Sequence, residues 1–192
     1  MITDYKIKIR KYLELEKKII GNLDIKAINQ VMNILEESRL KGGTIYICGN
    51  GGSASTASHM TCDFNKGISL GRKEKYNIIC LNDNVPILMA YANDLGYEWC
   101  FQKQLEGRLK KNDLLVAVSV SGNSKNIIKA VEYAVSSEIK VISLTGYDGG
   151  TLAGMSNYNI HVPVDNMQIA EDIHIIINHL MTWILANEER EN

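Results

Sequence analysis

Two pairs of ionisable side chains have the spacing that brings them together on one face of a helix. His59 and Asp63 are four positions apart, or about one helical turn. Glu171 and His179 are eight apart, a little over two turns, so they share roughly one side of a second helix. Imidazoles and carboxylates serve in general acid–base catalysis, and two of each also make a site for zinc or another divalent cation. An ordinary surface pair at 59 and 63 has the same spacing.

Glycine and serine are concentrated in two loops that can bind an anion. The segment "GNGGS" follows a β-branched run and leads into a helix, and "SVSGNS" follows a later run. At the N-terminus of a helix, backbone N–H groups and the helix dipole favour negative charge. The hydroxyls of Ser53, Ser119, Ser121 and Ser124 add donors for phosphate oxygens. Tight turns and helix caps use the same residues, but two such loops at one sheet edge favour a phosphate site.

The remaining pattern indicates the elements that position these residues. Five short apolar runs alternate with helix-length segments, which is typical of a parallel sheet buried on both faces. The strands are predicted at Thr44–Gly49, Asn77–Asn82, Leu114–Val120, Lys140–Gly146 and Asn159–Val164. The helices between them are predicted at Ser53–Asn65, Val85–Asp94, Glu98–Leu109, Ser124–Ser137 and Gln168–Glu188. The fold class is therefore α/β, a doubly wound parallel five-stranded sheet flanked by helices, with ligands expected outside the carboxyl ends of the strands.

Two amphipathic segments precede the sheet, at Thr3–Ile20 and Asp24–Lys41. We predict an N-terminal helical arm at residues 1–41, followed by residues 42–192 as the α/β domain, in a single domain overall. An apolar stripe on the first segment is too regular to be left in water, which favours packing in an oligomer. Its members are Ile7, Ile9, Leu13 and Leu15.

The composition limits the kinds of partner that we expect the protein to bind. The 192 residues carry a net charge of −1, so no basic face points to nucleic acid and no polybasic stretch points to a membrane. The first 20 residues lack the apolar region of a signal peptide, and no run approaches the ~18 apolar residues of a spanning helix. The four cysteines form no CxxC pair and are expected as reduced thiols, three of them facing the core. These features favour the cytoplasm.

A dinucleotide site is an alternative reading of the first loop. Gly49, Gly51 and Ala54 satisfy the loose G-x-G-x-x-G/A pattern. That pattern also needs an acidic residue about 20 positions further on to bind a ribose. Asp83 follows the second strand but lies 29 residues beyond Ala54, and the second serine loop has no role in such a site. We therefore expect no nucleotide cofactor.

Five motifs in order resemble the sugar isomerase (SIS) domain family, and within it the phosphoheptose isomerase type. They are "CGNGGSASTASHM", "AYANDLGYE", "VSVSGNS", "LTGYDGG" and "EDIHIIINHL", and the resemblance covers nearly the whole chain. It implies interconversion of sedoheptulose 7-phosphate and a heptose 7-phosphate for lipopolysaccharide or capsule precursors. It further implies a homotetramer with active sites near subunit boundaries and, in some members, a bound zinc ion.

The resemblance assigns roles residue by residue. His59 matches a metal-ligand histidine, Asp63 takes the place of the family's basic Glu, and His179 matches the closing histidine, so Asp63 and His179 are the expected catalytic pair. Glu171 stands where the family has Gln, and the predicted metal ligands are His59, Asp63, Glu171 and His179. Asn93 and Asp94 match an "ND" pair near the sugar. The full predicted substrate-binding set is Asn50, Gly51, Gly52, Ser53, Asp63, Asn93, Asp94, Ser119, Val120, Ser121, Ser124 and Glu171.

The two departures from the family pattern fall on the reacting groups. Aspartate at 63 shortens the base by one methylene, and a displacement of about 1 Å at a reacting centre can cost on the order of 100-fold in rate. Glutamate at 171 adds a negative charge, which strengthens a cation site and is repelled by neighbouring carboxylates without a cation. Our hypothesis is that the two changes compensate, with a more anionic site holding a divalent cation that polarises the sugar oxygens.

Other readings use the same residues differently. A non-catalytic SIS protein, similar to the relative that binds the bacterial replication initiator, needs neither the acidic residue at 63 nor His179. A sugar-phosphate-sensing module needs only the phosphate loops. His174 lies in a very apolar helix and His161 in a strand, so both are expected to be structural.

Overall fold

Five parallel strands form one sheet at the centre of the structure, a computed structural model that describes residues 4–188. They are β1 (Ile45–Gly49), β2 (Ile78–Cys80), β3 (Leu114–Ser119), β4 (Lys140–Thr145) and β5 (Tyr158–His161). Their order across the sheet is β2-β1-β3-β4-β5, with Ile45 of β1 in register with Ile78 on one side and Leu114 on the other. The predicted α/β class and the five-stranded parallel sheet are confirmed.

Helices cover both faces of the sheet. They are α1 (Lys6–Ile20), α2 (Ile25–Leu40), α3 (Gly52–Cys62), α4 (Val85–Leu95), α5 (Gln102–Leu105), α6 (Lys125–Ser136), α7 (Gly150–Met155) and α8 (Met167–Glu188). A π-helical turn, Asp63–Ile68, continues α3, and a 3₁₀ turn, Tyr97–Trp99, precedes α5. The predicted start of the first helix, Thr3, and residues 189–192 lie outside the described residues.

The core has two halves because alternate residues of each strand point to opposite faces. Ile45 and Ile47 of β1 pack on one face with residues of α2, α3 and α8. Tyr46 and Cys48 pack on the other face with residues of α5, α6 and α7. Every residue of β1 and β3 is buried, as a parallel sheet covered on both sides requires. Three cysteines (Cys48, Cys80 and Cys100) are buried and Cys62 is exposed, all four as free thiols, as expected.

The two N-terminal helices differ in how they are attached. Helix α2 contributes Ile28, Val31 and Leu35 to the core, whereas α1 has no buried residue. Helix α1 lies against α8, and the Tyr12 hydroxyl donates to the Asp172 carboxylate. This hydrogen bond raises the pKa of Tyr12 to about 12. The division into an arm at 1–41 and a domain at 42–192 stays a prediction.

Two predicted segments differ from the structure. The predicted helix Glu98–Leu109 is only a 3₁₀ turn and the short α5, because the chain becomes extended at Glu106 and turns at Gly107 with φ +72°. Helix α7 was not predicted, since it begins at two glycines of positive φ and is only six residues long. Both segments lie among turn-forming residues that obscure helical periodicity.

Helix α8 has the length and hydropathy of a membrane-spanning segment, the only such helix among residues 4–188. Eight of its residues are buried, including Ile173, Ile177, Met181 and Leu185 in the core on one sheet face. The same helix carries Glu171, Asp172 and His179. A core helix of an α/β domain has this character, so α8 is not evidence for a membrane span.

Candidate active site

The two glycine- and serine-rich loops meet at the point where the strand order reverses. From β1 the chain proceeds to β2 on one side, while β3 lies on the other side of β1. In open α/β sheets, the crevice outside the carboxyl ends of two such strands is where ligands bind. The loop after β1 leads into α3 at Gly52, and the loop after β3 leads into α6 at Lys125.

A cavity of about 290 Å³, the serine cavity, lies between these loops. Ser53 and Ser119 are buried at its wall, and the Ser119 hydroxyl lies 3.4 Å from that of Ser124. Ser124 is the N-cap of α6, yet its hydroxyl does not cap the helix. Hydroxyl donors and two helix N-termini make the cavity suited to a phosphate group. The lining residues are Asn50, Ser53, Val118, Ser119, Val120, Ser121, Ser124, Tyr147, Met167 and Glu171.

Side-chain amides fix the first loop in place. Asn50 and Asn126 exchange two hydrogen bonds of 2.9 Å, and the Tyr97 hydroxyl donates to Asn50 over 2.7 Å. Asn82 pairs with the backbone of Gly49, donating over 2.8 Å and accepting over 3.1 Å. Gly51 has φ +54°, a conformation that favours glycine. The first loop is therefore fixed by Asn82, Tyr97 and Asn126, none of which was predicted from sequence because each is distant from the loop in the chain.

A second cluster lies where α3 meets α8. The Nε2 atoms of His59 and His179 are 3.0 Å apart, and the Oδ2 atom of Asp63 lies 3.2 Å from the first and 3.8 Å from the second. Each residue offers one ligand atom within 4.8 Å of the others, and the cluster is the only such group among the described residues. The structure thus brings together His59, Asp63 and His179, which are up to 120 residues apart in sequence.

The donor set fits a tetrahedral cation. With metal–nitrogen bonds of 2.0–2.1 Å, two ligands of a tetrahedral zinc ion are about 3.3 Å apart. The observed separations of 3.0, 3.2 and 3.8 Å bracket that value. Two neutral imidazole nitrogens at 3.0 Å repel each other unless a proton or a cation lies between them. His59 and His179 are about half exposed, so the cluster is open on one side.

Asp63 lies at a change of helical geometry. It is the first residue of the π-helical turn that follows α3, a feature frequent at functional sites. The Nδ2 atom of Asn178, on the inner face of α8, donates to Asp63 Oδ2 over 2.7 Å. Asn178 directly precedes His179 but was not predicted from the sequence. An amide within an apolar helix was the signal that could have identified it.

Glu171 lies apart from the three-residue cluster. A β-carbon on Gly52 would come within 2.3–2.4 Å of the Glu171 carboxylate, so this group lies against the backbone at the start of α3. Burial, with a smaller contribution from Asp172, raises the pKa of Glu171. The side chain of Glu171 also lines the cavity between the two loops. Its role as a fourth metal ligand stays a prediction.

The remaining predicted residues have different positions. Asn93 and Asp94 are exposed on α4 and hydrogen-bond to each other over 2.9 Å, and they do not line the serine cavity. His174 is fully buried and its Nε2 donates to the Thr145 carbonyl over 3.3 Å. His161 lies with its Nδ1 3.1 Å from the Thr145 hydroxyl. The contacts of both histidines are those of structural residues, in line with the prediction.

The fold and the two adjoining sites define a sugar-isomerase type of α/β domain. The family model described as "SIS domain" matches residues 9–146, which is most of the chain, and the chain belongs to this family. A phosphoheptose isomerase from Helicobacter pylori is 41% identical over 87% of this chain and 85% of its own length. Within the SIS family the chain therefore belongs with the phosphoheptose isomerases and is an isomerase.

Solved structures show the same architecture. A phosphoheptose isomerase from Francisella tularensis superposes with a TM-score of 0.88 at 31% identity, covering 96% of this chain and all of its own. The phosphoheptose isomerase from Neisseria gonorrhoeae gives a TM-score of 0.87 at 26% identity, covering 95% of this chain and 98% of its own. Both similarities extend over the phosphate loops and α8, since almost the whole chain is covered.

Proposed function

We propose that this protein interconverts sedoheptulose 7-phosphate and a heptose 7-phosphate, for heptose precursors of lipopolysaccharide or capsule. One observation carries the proposal: helix α3 carries Ser53 of the serine cavity and His59 of the cluster, and Asp63 follows it directly. The cavity provides for a phosphate monoester, and the cluster provides groups for proton transfer.

The separation of the two sites suits a sugar of this length. Ser53 and His59 are six positions apart on α3, or ~9 Å along the helix axis. An extended seven-carbon chain spans on the order of 8 Å, since each carbon–carbon bond is about 1.5 Å long. The axial rise between Ser53 and His59 is therefore of the same order as the length of the sugar.

The proton transfers are assigned to Asp63 and His179. Aldose–ketose isomerisation removes a proton from the carbon beside the carbonyl, gives an enediol(ate), and returns a proton to the neighbouring carbon. We propose that the Asp63 carboxylate transfers the carbon-bound proton and that the His179 imidazole transfers the oxygen-bound proton. Ser53, Ser119, Ser121 and Ser124 hold the phosphate so that the carbon pair is presented to these groups.

We further propose that His59, Asp63 and His179 hold a divalent cation, most simply zinc, with Glu171 as a fourth ligand if its carboxylate turns away from Gly52. A bound cation would polarise the sugar oxygens and stabilise the enediolate charge. The donor types, two imidazoles and a carboxylate, are those that zinc takes in proteins.

The protein is proposed to act as a cytoplasmic homotetramer on a phosphorylated sugar. Large apolar side chains on α1 and α4 support the oligomer, among them Ile7, Leu13 and Met89, which are 74%, 55% and 62% exposed. Asn93 and Asp94 lie on the exposed α4, so their predicted role near the sugar depends on such an assembly.

Solvent exchange tests the proposed reaction directly. Purified protein incubated with sedoheptulose 7-phosphate in deuterated water should place solvent deuterium on the carbon next to the carbonyl, detected by NMR. Asp63→Asn should lower the exchange rate by at least about 100-fold, because removal of a general base costs 10²–10⁴-fold.

The same assay addresses the non-catalytic alternative. A protein that only binds or senses a sugar phosphate would bind the substrate, as measured by calorimetry, without exchanging hydrogen. Binding without exchange in the unmodified protein would contradict the proposed reaction. Full exchange in Asp63→Asn would contradict the proposed role of Asp63.

A further inference from the structure

Asn178 connects the inner face of α8 to the reacting cluster. Its side chain is 1% exposed, and its Nδ2 donates to Asp63 Oδ2 over 2.7 Å. The same Oδ2 atom lies 3.2 Å from His59 Nε2 and 3.8 Å from His179 Nε2. We propose that Asn178 is a positioning residue, which fixes the Asp63 carboxylate for proton transfer and cation binding. This inference rests on the proposed function of Asp63.

The other half of the Asn178 amide argues against a purely structural role. Its Oδ1 atom is buried and has no hydrogen-bond partner among the described residues. A buried acceptor without a partner destabilises the folded protein, and a leucine of similar shape at this position would avoid that cost. The unpaired Oδ1 atom therefore destabilises the fold. The amide is compensated only by the hydrogen bond that Nδ2 donates to Asp63.

The short side chain of Asp63 explains why such a hydrogen bond matters. Asp63 begins the π-helical turn, where the backbone hydrogen-bond pattern of α3 changes. The Asn178 amide orients the carboxylate without bringing a positive charge, whereas a lysine at 178 would compete with a cation for the same oxygen. Groups that orient the ligands of a metal in this way affect both metal affinity and activity.

Thr182 offers a matched control on the same helix. It lies one turn beyond Asn178, and its Oγ1 atom is likewise buried without a partner among residues 4–188. Its methyl group faces Gly67 in the π-helical turn, and it is not a member of the cluster. Thr182→Val therefore removes a buried, unpaired polar atom from this face of α8 without removing a contact to Asp63.

The test compares Asn178→Leu, Thr182→Val and Asp63→Asn in the full chain. For Asn178→Leu we expect kcat to fall about 10–100-fold and zinc to bind about 10-fold more weakly, as for other orienting residues at metal sites. KM for sedoheptulose 7-phosphate should change little, because the serine cavity is untouched. The urea midpoint should be unchanged or higher. Thr182→Val should match the unmodified protein in kcat and zinc affinity, the latter measured by competition with a chelating dye.

The possible outcomes separate the two proposals. Asn178→Leu with unchanged kcat and zinc affinity, alongside an inactive Asp63→Asn, would overturn the positioning role and leave the proposed function intact. An active Asp63→Asn would overturn the proposed function itself. An equal loss in Thr182→Val would mean that activity follows packing of α8 and not the hydrogen bond. If Asn178→Leu does not fold, Asn178→Ser, which is polar but too short to reach Asp63, should lose kcat in the same way, and full activity would overturn the role.

Discussion

The ring of His174 is an ionisable group near the sheet edge that carries the site. It is fully buried in α8, and its Nε2–H donates to the carbonyl of Thr145 at the end of β4. This hydrogen bond fixes the tautomer, so Nδ1 is the unprotonated nitrogen. Burial lowers the pKa of His174 from 6.5 to about 4, against a smaller opposing contribution from the hydrogen bond. His174 is therefore neutral in the folded protein at neutral pH.

We predict that this residue makes the fold lose stability in mild acid. The unfolded chain binds a proton at His174 as the pH falls below 6.5, and the folded protein binds it only near pH 4, so acid favours unfolding between these values. The contribution is present above pH 6.5 and decreases by about 2 kcal/mol at pH 5. Urea unfolding at pH 7.5, 6 and 5 measures it.

A matched variant separates this contribution from that of the carboxylates. In His174→Gln the side-chain amide can still donate to the Thr145 carbonyl, but it does not titrate. The free energy of unfolding should then decrease less between pH 7.5 and pH 5 than in the unmodified protein. An equal decrease in both proteins would contradict the assignment to His174.

Among the site residues, those spaced along one helix were predicted from the sequence. Those whose hydrogen-bond partners lie on another element were missed. His59 and Asp63 were found from their spacing, and His179 from its motif. Asn178 and Asn126 were missed, because their partners are 115 and 76 positions away in the sequence. The contact of Glu171 with Gly52 was also beyond prediction, since it depends on how α8 lies over α3.

The elements around the second phosphate loop support one another through backbone contacts. The Gly122 carbonyl accepts from Leu152 N–H over 2.9 Å, and Asn123 Oδ1 accepts from the N–H and hydroxyl of Thr151. A β-carbon on Gly122 would lie 2.0 Å from the carbonyl oxygen of Gly149. Helix α7, absent from the sequence prediction, thus supports the loop that follows β3.

We predict that Gly122→Ala weakens both the fold and phosphate binding. Gly122 has φ +61°, and its new methyl group would collide with backbone that cannot yield easily. The expected cost is about 1–2 kcal/mol for the left-handed backbone plus about 1–3 kcal/mol for the collision. The urea midpoint should fall, and KM for the sugar phosphate should rise.

Gly42→Ala is the control for this prediction. Gly42 has a similar φ of +68°, but a β-carbon there would have no atom within 4 Å. This variant should lose only the backbone contribution, and its KM should not change. Equal losses of stability in the two variants would show that the contact between Gly122 and Gly149 is unimportant.

Strands were predicted better than helices because a strand buried on both faces gives an unbroken apolar run. Each of the five predicted strands includes the observed one, apart from Tyr158 at the start of β5. Segments rich in turns were predicted poorly, as shown by 98–109 and by α7. Short helices of this kind are held by neighbours in space and not by their own periodicity.

Several large apolar side chains are exposed on the surface of the molecule. Helices α1 and α4 have no buried residue, and Trp183 of α8 is 71% exposed. An apolar surface of this kind is typical of a protein–protein interface. The predicted stripe on α1 is exposed as a set at Ile7, Ile9, Leu13 and Leu15.

We predict that Leu13→Glu dissociates the proposed tetramer. A charge on the apolar stripe would have to be buried without a partner in any interface formed by α1, which is unfavourable. Light scattering coupled to gel filtration should show a lower molar mass than for the unmodified protein. Lys75→Glu, at an exposed residue outside α1, should keep the full mass. An unchanged mass for Leu13→Glu would exclude the stripe from the interface.

The chain distance between α3 and α8 has a consequence for how the protein becomes active during synthesis. The residues of both loops and Asp63 have been synthesised once the ribosome has passed residue 124, but Asn178 and His179 are translated more than 50 residues later. A chain that ends before α8 lacks the second imidazole, Asn178 and the core residues that α8 contributes on one face of the sheet. We therefore expect turnover to begin only when α8 has docked.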